Sequence, residues 1–111
     1  MEKQEGKHLT FTLSNEEYGI PILQVKEIIG LMGITSVPRT PDFIKGVINL
    51  RGKIIPILDL RLKFRMPEKE HNERTCIIVV EINTNNVKNL MGIIVDTVSE
   101  VVTILPLSGT P

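Results

Sequence analysis

The chain has 111 residues, the length of one domain or of one compact pair of small subdomains. Its 13 Lys and Arg residues balance 13 Asp and Glu residues, and 41% of all residues are hydrophobic. The two signs are intermixed along the chain, so no basic stripe is present that would neutralise nucleic-acid phosphates. The composition predicts a globular domain and argues against intrinsic disorder and nucleic-acid binding.

The charged N-terminus is followed by no apolar segment of the signal-peptide type, and the longest apolar runs are too short to cross a bilayer. The single cysteine, Cys76, has no partner for an internal disulfide. It starts an apolar run, where a buried structural thiol is the expected outcome. These features indicate a reduced, cytoplasmic protein.

The first predicted elements form a β-hairpin. Leu9, Phe11 and Leu13 alternate with polar residues, which is the two-residue period of a half-buried strand. Residues 18–22 alternate in the same way after a polar break at residues 15–17. A strand, a short polar turn and a second strand predict a hairpin.

The segment after this hairpin is open to two interpretations. Apolar residues within 25–32 have the spacing of one helical face, yet residues 28–30 fit the start of a strand equally well. Further on, Pro41 stands at a favourable first helical position. We expect residues 43–46 to form at most one helical turn, which Gly46 ends.

The most strongly patterned part of the chain is a tight hairpin. Residues 47–50 and 53–60 are mainly apolar and meet across Arg51-Gly52, where the glycine tolerates a positive φ. Residues 60–65 then alternate apolar with cationic side chains. We interpret the cationic side of this segment as a solvated face.

Further strands are predicted toward the C-terminus. Residues 76–82 are a continuous β-branched run, which indicates a strand buried on both faces. A turn at residues 83–86 leads to a second strand at residues 90–95, and residues 96–104 are predicted to contain a turn and another strand. Since the apolar periods are mostly two and β-branched content is high, we predict an all-β fold, a small barrel or sandwich.

A search for catalytic or metal-binding constellations finds none. The chain has no Gly-rich phosphate loop, no His/Cys cluster at metal spacing and no Gly-x-Ser-x-Gly motif. His8 and His71 lie in or beside polar segments and are expected to be exposed, and Asp59 and Glu68 are expected on the solvated surface. The residues favour a binding module without a cofactor or metal, and a small hydrolase or metal enzyme is a distant alternative.

The block from Phe43 to Arg61, FIKGVINLRGKIIPILDLR, resembles the CheW family, the coupling proteins of bacterial chemotaxis. Residues 17–20, 25–29, 34–38 and 92–101 fit the same pattern, so the resemblance covers about residues 9–104. It implies two small five-stranded SH3-like β-barrels, packed side by side. It also implies a non-enzymatic adaptor that links the cytoplasmic tips of transmembrane chemoreceptors to the histidine kinase CheA in membrane-associated receptor arrays.

Family members usually continue beyond the point that corresponds to Pro111, with strands and a terminal helix that complete the first barrel. We therefore expect residues 1–111 to form a single CheW-like domain with an incomplete first barrel. Its open strand edges would favour self-association. The alternative is a CheW-like fragment of a larger signalling protein, either a kinase regulatory domain or a coupling protein fused to a receiver.

The resemblance also implies two sets of site residues. The set implied in receptor coupling is Val25, Glu27 and Arg51. The set implied in the kinase-facing surface is Gly46, Ile54, Pro56 and Asp59. An arginine at a turn tip is free to pair with a carboxylate on a partner, although pairing with Glu27 inside the protein is a further alternative. Ile54 fits the core as well as it fits an exposed contact.

Overall fold

The structure is a computed structural model that describes residues 6–67 and 71–104, with the backbone alone at residues 100–104. Most of this part of the chain is in strands. In chain order they are β1 (Gly6–Leu13), β2 (Glu16–Pro21), β3 (Val25–Gly30), β4 (Ile44–Leu50), β5 (Lys53–Leu58), β6 (Cys76–Thr84), β7 (Val87–Val95) and β8 (Thr97–Ile104). A short 3-10 helix (Ile22–Gln24) precedes β3, and the four-residue helix α1 (Leu60–Lys63) follows β5.

The strands form two sheets. One has three strands in the order β2-β1-β8, and the other has five in the order β3-β6-β7-β5-β4. All neighbouring strands are antiparallel except β5 and β7, which are parallel and pair only at Ile57–Gly92 and Leu58–Ile93. The prediction of an all-β fold with two small barrel-type subdomains is confirmed. Within the described residues the outer edges of β2 and β8 have no strand neighbour, and self-association through them stays a prediction.

Strand β6 separates two hydrophobic cores. Since successive side chains of a strand point to opposite faces, Ile78 and Val80 enter the first core while Ile77 and Val79 enter the second. The first core consists of Leu9, Phe11, Leu13, Ile78, Val80 and Val95. The second consists of Ile48, Ile55, Ile57, Ile77, Val79 and Ile94. The prediction of a strand buried on both faces is therefore confirmed for residues 77–80, whereas Ile82 is 37% exposed.

Two-residue turns close the predicted hairpins. Arg51 and Gly52 have φ values of 52° and 87°, and these paired positive values match the twist of the strands they join. The β1–β2 hairpin is confirmed, with its turn at Ser14-Asn15. The polar segment at residues 83–86 contains the β6–β7 turn at Asn85-Asn86, so both strands extend further toward the turn than predicted.

Two helical interpretations are wrong. Val25–Gly30 is strand β3, which pairs with β6, so only the strand alternative holds for the segment after the first hairpin. Residues 43–46 do not end in a glycine-terminated helical turn, because β4 begins at Ile44 and Gly46 lies within it at a shift of register. Gly46 has a φ of 147°, and its close neighbour is the backbone of Thr35, which pairs with Val47. The glycine is needed for close backbone approach.

The predictions of solvent exposure for the cationic side of residues 60–65 and for His8 are also wrong. The cationic side of residues 60–65 is not wholly solvated, because α1 forms there and Arg61 is only 2% exposed. His8 is 5% exposed, since β1 lies between β2 and β8, and its Nδ1 is 3.2 Å from the carbonyl oxygen of Gly6. Cys76 is half-buried at the start of β6, less buried than the structural interpretation predicts, and burial raises the pKa of its thiol.

Candidate protein-binding groove

A groove of about 1110 Å³ opens between the β4–β5 hairpin, the β6–β7 hairpin and β3. The groove exists because β5 and β7 pair only at Ile57–Gly92 and Leu58–Ile93. The first residues of both strands, which follow the hairpin turns, are not hydrogen-bonded to each other. Its floor is apolar and continuous with the second core. The floor residues are Leu50, Ile55, Val79 and Leu90. An open groove with an apolar floor can accept an apolar side chain of a protein segment.

An ion pair joins two sides of the groove. Arg51 at the β4–β5 turn donates from Nη1 to Oε2 of Glu27 at 3.1 Å, and its Nη2 contacts Oε1 of the same carboxylate. The hydrogen bond and charge of Arg51 lower the pKa of Glu27, and the carboxylate raises the pKa of Arg51. Pairing between Glu27 and Arg51 inside the protein, one of the alternatives open from the sequence, is present in the structure.

A second ion pair lies beside the first. Lys26 Nζ is 3.1 Å from Oε1 of Glu81, which links β3 to β6 at the groove. Lys53 and Lys88 also line the groove and are exposed, and neither takes part in an ion pair with any described residue. The polar lining is therefore cationic in excess.

The structure resolves the ambiguity at Ile54. This side chain is 63% exposed, whereas Ile55 and Ile57 on either side of Pro56 are fully buried in the second core. Ile54 and Pro56 line the same groove as Glu27 and Arg51. The groove thus brings together two residues from each set that the sequence nominated.

The remaining three nominated residues lie elsewhere. Val25 is half-buried against the first core, and Gly46 is buried next to Thr35. Asp59 is 1% exposed, so its carboxylate is not available at the surface, and the expectation that it is solvated is wrong. A role of these three residues in partner binding stays a prediction, and Asp59 would act through the residues that it holds.

A buried charge cluster around Asp59 was not predicted. Asp59 caps α1 by accepting from the backbone N–H of Arg61, and its two carboxylate oxygens accept from Nε and Nη2 of the same arginine, all at 3.0 Å. Arg61 Nη1 also donates to Oδ1 of Asp96 at 3.0 Å. Asp59 directly before α1 was a usable sequence signal for the cap, whereas Asp96 comes close only through the fold.

The described residues meet neither the requirements of a metal site nor those of a membrane-spanning helix. Across residues 6–67 and 71–104 there is no group of three His, Cys, Asp or Glu side chains arranged to hold a metal ion. The helices in that part of the chain are all too short or too polar to span a membrane. Fold and groove together define a two-sheet β domain with an open groove on its five-stranded sheet.

Comparison with known proteins identifies the family. Residues 7–108 match the CheW-like domain, so the chain belongs to the CheW-like family. It is 50% identical over 96 residues to chemotaxis protein CheW of Klebsiella aerogenes, covering 86% of this chain and 55% of that protein. It is 38% identical over 102 residues to chemotaxis protein CheW of Bacillus subtilis, covering 92% and 63%.

A solved structure shows the same fold. The crystal structure of the scaffolding protein TtCheW from Thermoanaerobacter tengcongensis superposes with a TM-score of 0.80 at 42% identity, over 91% of this chain and 66% of that one. The chain spans a little over half the length of curated relatives such as the Klebsiella aerogenes protein, at 55%. The resemblance seen in the sequence is therefore confirmed at the level of the family and the fold.

Proposed function

We propose that this chain is an adaptor of bacterial chemotaxis that couples transmembrane chemoreceptors to the histidine kinase CheA and catalyses no reaction itself. It would act in the cytoplasm, at the receptor arrays. Membership of the CheW-like family and the scaffolding role named for the similar crystal structure support this proposal. The identity of the two partners, the chemoreceptors and CheA, is inferred from the resemblance of the sequence to the family.

The observation that carries the proposal is the composition of the groove. Glu27 and Arg51, from the receptor set, line it together with Ile54 and Pro56, from the kinase set. An exposed apolar side chain beside a charged rim is typical of a protein interface, in which an apolar centre is surrounded by polar groups. A small adaptor needs such a surface for each partner, and both would include parts of this groove.

A three-component pull-down tests the proposal. A receptor cytoplasmic fragment is immobilised, and the retention of CheA is measured with and without this chain. We expect CheA to be retained only when the chain is present. Arg51→Ala should lose the receptor, and Ile54→Lys should bind the receptor but fail to retain CheA.

Val87→Lys is the matched control for Ile54→Lys. Val87 is also an exposed apolar residue, with 55% of its surface accessible, but it does not line the groove. This variant should retain both partners. A chain that binds neither partner would overturn the proposal, and equal retention of CheA by all three variants would overturn the assignment of the groove as the binding site.

A further inference from the structure

The charge of the groove differs from the charge of the whole chain. Four cations line it, Lys26, Arg51, Lys53 and Lys88, against the two carboxylates of Glu27 and Glu81. The lining therefore has a net charge of +2, while the chain as a whole is neutral. A concave site lined by one excess sign concentrates the field and attracts groups of the opposite sign.

Two of the four cations are available to a ligand. Both carboxylates already have partners, since Lys26 pairs with Glu81 and Arg51 pairs with Glu27. Lys53 stands at the start of β5 and Lys88 near the start of β7, so they belong to the two different hairpins that border the groove. Neither belongs to the residue sets that the family resemblance implies.

The floor between these lysines selects the kind of anion. Leu50 and Leu90 line the same groove and are half-buried, so they offer an apolar surface that an inorganic phosphate or a nucleotide phosphate would leave unused. Two lysines in a concave groove, unpaired with any described residue, are few for an anionic membrane surface. An acidic segment of a protein that also carries an apolar side chain uses both the lysines and the floor.

We propose that the groove binds an acidic segment of a protein partner, with Lys53 and Lys88 contacting its carboxylates and an apolar side chain resting on Leu50 and Leu90. The inference rests on the proposed function in one respect, which is that the acidic segment belongs to the chemoreceptor or to CheA. Because both lysines are exposed, each contact is individually weak, and their main contribution is to the approach and orientation of the segment.

The test compares two double charge reversals. Lys53→Glu with Lys88→Glu reverses the free cations of the groove, and Lys7→Glu with Arg39→Glu makes the same change in net charge at exposed residues outside it. Affinities for the receptor cytoplasmic fragment and for the isolated regulatory domain of CheA are measured separately by calorimetry, from low salt to about 0.5 M.

We expect the groove variant to bind at least one of the two proteins about 10-fold more weakly at low salt, and the difference to shrink as salt rises. The control variant should bind as the unaltered chain does. Replacing Glu or Asp residues of that partner's acidic segment by Lys should restore binding to the groove variant. The same replacement should weaken binding to the unaltered chain.

Three outcomes would overturn the inference. They are unchanged affinity of the groove variant for both partners, a loss of affinity that does not depend on salt, and binding to vesicles containing phosphatidylserine that the groove variant abolishes. If the unaltered chain still retains CheA on the receptor in any of these cases, the proposed function stands and only the acidic occupant is excluded.

Discussion

Arg61 and Asp96 form a buried ion pair, with Nη1 3.0 Å from Oδ1, that joins α1 to the junction of β7 and β8 across 35 positions of sequence. The same guanidinium binds both carboxylate oxygens of Asp59. Asp96 Oδ2 in turn accepts from the backbone N–H of Ser14 at 2.7 Å, in the turn between β1 and β2. The cluster therefore connects the β1–β2 turn of the three-stranded sheet to Asp59, which follows β5 of the five-stranded sheet.

Arg61→Ala should strongly destabilise the fold. The substitution leaves Asp59 and Asp96 buried without their cation, and breaking a buried ion pair from one side costs about 3–5 kcal/mol. Urea-induced unfolding followed by circular dichroism measures the change. Arg65→Ala is the control in the same segment, since Arg65 is exposed, and it should stay within about 0.5 kcal/mol of the unaltered chain. Equal stability of the two variants would contradict the structural role of the cluster.

Stability should also fall in acid because of Asp59. Burial alone raises the pKa of this carboxyl, but the hydrogen bonds and charge of Arg61 outweigh that effect and hold the pKa below its usual value. The stabilisation from a depressed pKa is present above the unfolded-state pKa and is lost as the pH falls through the folded-state pKa. The free energy of unfolding should therefore decrease below about pH 4, and Asp59→Asn should reduce that slope. Identical slopes for the two proteins would refute the prediction.

Gly46→Ala should lower the free energy of unfolding by more than about 1 kcal/mol. The φ of 147° disfavours any side chain, and a Cβ at this position would collide with the carbonyl group of Thr35. That carbonyl accepts from the backbone N–H of Val47, and the N–H of Thr35 donates to the carbonyl of Val47, so the Thr35 backbone is held in place. Chemical denaturation measures the change. Gly33→Ala is the control, because no atom lies within 4 Å of a Cβ there. Comparable stability of the two variants would show that the Thr35 segment can move aside.

Ile54→Lys and Ile55→Lys should have opposite effects on folding. Ile54 is exposed, so its substitution should leave the circular dichroism spectrum and the unfolding midpoint nearly unchanged. Ile55 is 1% exposed within the second core, where a lysine charge would lose its hydration, and we expect a loss of more than about 3 kcal/mol. A folded, stable Ile55→Lys variant would show that the two side chains have been assigned to the wrong faces.

Local chemistry was enough to predict the hairpins and the central strand. The glycine in Arg51-Gly52 and the asparagines of residues 83–86 mark turns, and an unbroken β-branched run predicts a strand with two buried faces, as β6 has. These signals are local, because a turn or a strand face is specified by residues that are adjacent in sequence.

Two of the failures of prediction involve charges whose partners are distant in sequence. The assignment of β3 was ambiguous because Glu27 occupies a half-buried position where the two-residue period of a strand predicts an apolar residue. The charge of Glu27 is neutralised there by Arg51, which is 24 positions away in sequence. Arg61 was interpreted as solvated because Asp96 is 35 positions away. The groove likewise depends on how far β5 and β7 stay paired, which is a property of the assembled sheet.

The most direct measurement of the central claim is CheA activity in a reconstituted mixture of receptor-containing membranes, CheA and this chain. We expect the chain to raise receptor-coupled phosphorylation by CheA several-fold, and Arg51→Ala and Ile54→Lys each to abolish that rise while remaining folded. A rate of phosphorylation that the unaltered chain leaves unchanged, with both partners active in the presence of another CheW protein, would contradict the adaptor role.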